Sequence, residues 1–72
     1  MEFEIIKTVG AVGEPSKSGW VKELNKVSWN GHDPKLDIRE WSPEHDKMGK
    51  GTTLTESEAR ILLALLQEYF AE

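Results

Sequence analysis

The residues that decide the fold run from Trp29 to Trp41, WNGHDPKLDIREW. Asn30-Gly31 is the strongest short-range hairpin signal, because a tight hairpin turn needs positive φ and these two residue types tolerate it best. With His32, Asp33 and Pro34 it forms the predicted hairpin loop. Lys35 to Trp41 then alternates. Leu36 and Ile38 project to one face, and Lys35, Asp37, Arg39 and Trp41 to the other. The strand entering the turn is Trp20 to Trp29. Its parity is mixed: Trp20 and Leu24 fall on one side, Val21, Val27 and Trp29 on the other. Either a bulge or a strand covered on both faces reconciles this pattern.

Outward from this hairpin, Phe3 to Val12 reads as a first strand, rich in Ile, Val and Phe, with Gly10 marking a bulge or bend. Glu14 to Gly19 is a loop by composition. On the other side, Ser42 to Gly49 reads as a polar loop and Lys50 to Leu54 as a short fourth strand. Thr55-Glu56-Ser57-Glu58 has the form of a capping box, with Thr55 as the N-cap. Strong helix formers follow through about Phe70. The order is β-β-β-β-α, an α+β arrangement in which four strands precede one C-terminal helix. Residues 1–72 are expected to form a single domain, with no internal repeat or linker.

The helix is apolar on more than one side. Leu62, Leu65, Leu66 and Tyr69 make one stripe and Ala59, Leu63, Leu66 and Phe70 a second beside it, with Ile61 extending the first. One small sheet covers one side of such a helix, and large exposed apolar patches are uncommon on monomers. A homodimer is expected, with Leu62, Leu63, Leu66, Tyr69 and Phe70 at its interface. Size argues the same way: 72 residues without cysteine form a marginal core, and oligomerisation is a common remedy when disulfides are absent. No apolar run approaches the roughly 18 residues of a membrane span. With no signal peptide evident, the expected location is cytoplasmic, where disulfides are not used.

The formal net charge is −4, which at first argues against nucleic acid. Its distribution changes that reading. Between Lys17 and Lys50 there are seven basic and six acidic residues, whereas the two ends carry two basic against seven acidic. The middle segment can therefore present a basic face.

No catalytic constellation emerges. His32 and His45 fall in predicted loops without the spacing of a metal site and read as solvated. Asp37 and Glu40 sit on opposite parities of one strand, so they do not pair as an acid–base couple. Gly49-Lys50-Gly51 is too short for a phosphate-binding loop and reads as a turn into the fourth strand. Neither a cofactor nor a metal is expected. The tryptophans remain. Trp20, Trp29 and Trp41 lie at strand ends in the basic-leaning middle, and Trp41 shares a face with Arg39 and Lys35. The ordinary explanation of any one Trp is packing. Aromatics interleaved with cations on a sheet also make a platform on which single-stranded bases stack, at about 1–3 kcal/mol per base.

Here a resemblance enters. LDIREWSPEHDKMGKGTTLTESE, residues 36–58, resembles the single-stranded-DNA-binding domain of the transcriptional positive cofactor four family. It shares the order D-I-R-E, charged loop, K-G-x-x-L strand and polar helix cap. WNGHDPKLDIREWSPEHDKMGKG is similar to the small bacterial YdbC-like branch of that superfamily, and the resemblance runs from about Trp20 to Leu66. It implies four antiparallel strands and a helix, a homodimer formed through the helices, and single-stranded DNA across curved sheets with little sequence preference. It also implies backbone contact by Arg39, base stacking by Trp29, and basic roles for Lys26, Lys47 and Lys50, with Lys22 a weaker match. Trp41 stands one position away from the family's second stacking aromatic. The serine-rich regulatory extension of the coactivator branch is absent from this sequence.

The expected function is non-catalytic single-stranded DNA binding, serving transcription or another DNA transaction. The residues that carry it are Lys22, Lys26, Trp29, Arg39, Trp41, Lys47 and Lys50. Single-stranded RNA is an alternative ligand, since stacking and phosphate contacts do not distinguish it unless a group reads the 2′-hydroxyl. A protein-interaction module using the same aromatic face or a sheet edge is another.

Overall fold

The Asn30-Gly31 turn forms with both φ angles positive, 51° and 77°, and the His32 N–H closes it by donating to the Trp29 carbonyl at 2.9 Å. The computed structural model describes residues 2–71. The turn joins β2 (Val21–Trp29) to β3 (Lys35–Trp41). These two strands pair antiparallel in seven consecutive positions without a shift, from Val21 opposite Trp41 to Val27 opposite Lys35. β1 (Phe3–Ala11) flanks β2, and β4 (Met48–Leu54) flanks β3. The result is an open antiparallel sheet in the order β1-β2-β3-β4, followed by α1 (Glu56–Tyr69).

Because β2 is regular, its mixed parity is explained by two occupied faces. Glu23, Asn25 and Val27 are buried on one side. Leu24 lines a cleft on the other side with Leu36, Ile38, Leu54 and the helix. The irregularity lies in β1. Between Ile5 and Lys7, and again between Thr8 and Gly10, β1 advances two residues while β2 advances one. Ile6 and Val9 are the two extra residues, and each bulge sharpens the local twist.

The sheet curls strongly. Trp41 pairs with Val21, eight residues along β2 from Trp29, so a flat sheet would hold the two tryptophans about 27 Å apart along the strand. Their ring centroids are 6.5 Å apart. The inside of this curl is where burial is deepest: Val27, Trp41, Asn25 and Asp37 are all 0% exposed.

β4 begins at Met48, two residues before the expected start. Gly49-Lys50-Gly51 is therefore strand and not a turn. It contains a bulge, since Arg39 pairs with Gly51 and Trp41 with Met48. The capping box forms in full. The Glu58 N–H donates to Thr55 Oγ1 at 3.1 Å, and the Thr55 N–H to Glu58 Oε1 at 2.8 Å. No helical residue is buried. Ile61, Leu63, Leu65 and Leu66 are exposed, as are Tyr69 and Phe70 beyond them. The helix stands off the sheet across an apolar cleft of about 490 Å³, into which Ala59, Leu62, Leu63 and Leu66 face Leu24, Leu36, Ile38 and Leu54.

Candidate nucleic-acid interface

The inner face of the curl carries an aromatic cluster. Phe3 is brought to Trp29 by direct strand pairing. The start of β1 is fastened there by the Asn30 N–H donating to the Glu2 carbonyl (2.8 Å) and the Glu2 N–H donating to Asn30 Oδ1 (3.0 Å). The Phe3 ring lies 5.9 Å from Trp29 and 5.1 Å from Trp41. Trp29 and Trp41 are nearly parallel, at 11°. His45 stacks on Trp41 at 5.7 Å.

The two tryptophans occupy different positions in this cluster. Trp41 is wholly enclosed. It forms the floor of the curl and has no accessible ring face for a base, contrary to the expectation that it offers a stacking surface. Trp29 is half-buried. Its Nε1 is buried and without a hydrogen-bond partner among the described residues, so the accessible part of this side chain is carbon. A surface of that kind stacks on a base without reading its hydrogen-bonding edge.

Arg39 covers Trp29, with its guanidinium carbon 4.5 Å from the ring centroid, within cation–π range. The guanidinium is held by Asp37 in a two-pronged pair, Nε to Oδ1 at 2.7 Å and Nη2 to Oδ2 at 2.8 Å. Nη1 donates to the Gly49 carbonyl at 3.2 Å. Thr53 Oγ1 donates to Asp37 Oδ2 at 2.9 Å. Asp and Arg two residues apart on one strand share a face, which is how D-I-R builds the pair. Gly51 opposite Arg39 supplies the room, because a Cβ there would fall 2.3 Å from the Arg39 Cβ.

A second buried carboxylate holds the other end of the cluster. Glu23 bonds His45 Nε2 at 3.0 Å and accepts from Asn25 Nδ2 at 3.0 Å. His45, whose side chain is 38% exposed, is therefore a loop residue held by a partner and not a free one. It sits at φ 60° in a closed turn, where the Ser42 N–H donates to the Lys47 carbonyl at 3.0 Å and Ser42 Oγ donates to Asp46 at 2.9 Å. His32 is exposed, as expected.

The lysines divide between the faces. Lys22 and Lys26 share the parity of Leu24, which faces the helix cleft. Lys26 is near enough to Glu56 at the helix start to help lower its pKa. These two are not brought together with Trp29. Lys35 shares the parity of Asp37 and Arg39. Lys47 lies in the turn that carries His45, and Lys50 in the β4 bulge; all three are exposed. Among the described residues the ion pairs are Arg39–Asp37 and Arg60–Glu56, and His45 hydrogen-bonds Glu23, so no lysine has a carboxylate at that range. No three acidic or histidine side chains among the described residues form a metal site. Nor is any helix among them long and apolar enough to cross a membrane.

The family described as transcriptional coactivator p15 (PC4) matches residues 16–65, the segment holding Trp29, D-I-R-E and the helix cap. This chain belongs to the PC4 family. An uncharacterized protein of Treponema pallidum (strain Nichols) is 47% identical over 64 residues, covering 89% of this chain and 74% of the relative. PC4 proteins are single-stranded-DNA-binding coactivators, a non-enzymatic DNA-binding family. The aromatic cluster of the sheet is compatible with that activity.

The PC4 motif made Trp29 and Arg39 visible in the sequence. No motif assigns a role to Phe3, which packs on Trp29, to Asp37, which pairs with Arg39, or to Glu23 and His45, which bond each other beside Trp41. For Asp37 a signal existed in its two-residue spacing from Arg39.

Proposed function

We propose that this PC4-family chain binds single-stranded DNA as a homodimer, with little sequence preference. The half-exposed ring of Trp29 stacks on a base, and Lys35, Lys47 and Lys50 neutralise phosphates around it. The observation that carries this reading is Trp29 itself. It is an indole at the lip of the curl with its N–H turned inward and a guanidinium against its ring, in a family that binds single strands. A duplex hides the faces of its bases, whereas a single strand exposes them. Lys22 and Lys26 are left to long-range attraction, and Trp41 to support of the ring beside it.

The dimer is supported by the helix. Its exposed Ile61, Leu63, Leu65, Leu66, Tyr69 and Phe70 and the apolar cleft beneath it make a larger patch than monomers usually display. A second copy of the same helix, in an isologous arrangement, covers it with matching chemistry.

Titration of tryptophan fluorescence with single-stranded and duplex DNA of one sequence tests the function. Quenching by the single strand at lower concentration is expected; tighter duplex binding overturns the reading. Matched DNA and RNA strands in competition decide between the two nucleic acids.

A further inference from the structure

We infer that Asp37 is a positioning residue for the stacking ring, and that Arg39 backs Trp29 instead of serving as a phosphate contact. The inference rests on the proposed single-strand function and names how that site is held. Asp37 is the one carboxylate with no exposed side-chain surface that faces Arg39 at hydrogen-bond distance on two oxygens. Three of the five guanidinium N–H groups are committed, two to Asp37 and one to the Gly49 carbonyl. Thr53 fixes the carboxylate in turn, and Gly51 leaves no side chain to displace Arg39. A cation so held has its charge compensated beside it, and its planar group lies on Trp29 at 4.5 Å. A fork–fork pair of this kind fixes orientation as well as distance. The guanidinium consequently sets the ring's orientation, and the neighbouring lysines supply the uncompensated charge.

Charge and positioning predict opposite outcomes for Asp37→Asn. Removing a negative charge beside the site should tighten DNA binding if Arg39 acts on phosphate, because its full charge is released. If Asp37 positions the ring, binding weakens by about fivefold, the size of one exposed cation–π contact, and the salt dependence stays that of the wild type. The measurement is fluorescence anisotropy of a labelled oligothymidine strand over a range of salt. Arg39→Lys is the second variant, chosen because it keeps the charge and loses the planar fork. It is expected to weaken binding to a similar degree with the same salt slope. Near-ultraviolet circular dichroism of the coupled Trp29–Trp41 pair should change in both variants. Binding of Asp37→Asn that is equal to or tighter than the wild type, or wild-type affinity of Arg39→Lys, overturns the inference and leaves the function standing. A wild-type chain that fails to bind the strand overturns both.

Discussion

Trp41→Ala removes a ring with no exposed surface, packed between Phe3 and His45. Truncations of that kind cost about 3–5 kcal/mol, a large share of what a chain of this size has to spend. The variant is expected to melt far below the wild type or not to fold, as followed by circular dichroism. Trp29→Ala takes away a half-exposed ring at the lip, so the fold should survive. Its loss should appear in binding, at about 1–3 kcal/mol for one stacked base. Equal thermal losses in the two variants would show that the lip and floor are not distinct. Gly51→Ala belongs to the same scale. The added methyl meets Arg39 and the Ile38 carbonyl, so β3–β4 pairing must open there, and the melting temperature should fall even though the new residue is a better strand former than glycine.

The helix tests separately from the sheet. Thr55→Ala removes the Oγ1 that accepts from the Glu58 N–H and leaves the backbone arm to Glu58 in place; it should cost about 1 kcal/mol. Glu56 and Arg60 add an exposed i, i+4 pair. The hydrogen bond from Arg60 holds the Glu56 carboxyl below its ordinary pKa of 4.5, aided by the Arg60 charge and, to a lesser degree, by Lys26. A lowered carboxylate pKa stabilises the fold above the unfolded value, and that contribution disappears as pH falls through the folded value. The stability difference between wild type and Arg60→Gln should therefore be present at neutral pH and close in acid below pH 4.5, as read from thermal melts. This element was legible in the sequence because cap and helix formers act locally. The hairpin was legible for the same reason, through Asn30-Gly31. The position of Trp41 was not. Parity correctly put it on one face with Arg39 and Lys35, but parity is blind to curl, and curl brings residues from opposite strand ends into contact. The start of β4 was missed because Gly49-Lys50-Gly51 looks like a turn, while its glycines answer to cross-strand neighbours.

At the scale of the whole molecule, the buried hydrophobic residues of the described chain are only Val27 and Trp41. The remaining apolar surface is concentrated on the helix and its cleft. The proposed dimer would supply the missing burial, and its stability would then depend on concentration. The melting temperature should rise with protein concentration, and Leu66→Glu should yield monomers in sedimentation equilibrium with a lower melting temperature. A concentration-independent melt of a monomeric wild type would refute the dimer. Salt reports on the ligand at the same scale. On the proposed mechanism, in which lysines around the lip make the charge contacts, log K should fall by about 0.7 per phosphate neutralised for each tenfold rise in salt. Replacing Lys35, Lys47 and Lys50 together by Gln should flatten that slope, whereas replacing Lys22 and Lys26 should change it little.

The two extra residues of β1 have a consequence for how these molecules behave in a crowd. An outermost strand with an unbroken row of free N–H and C=O groups is a template for fibril growth. Ile6 and Val9 interrupt that row twice within nine residues. Without them, Phe3, Glu4, Ile5, Lys7, Thr8, Gly10 and Ala11 would form one regular ladder against β2. Deleting both residues should therefore make a flatter strand whose free side recruits its own kind, and thioflavin-positive fibrils should appear sooner than with the natural chain. The bulges cost local pairing, and by breaking the row they should make the chain resist stacking edge to edge.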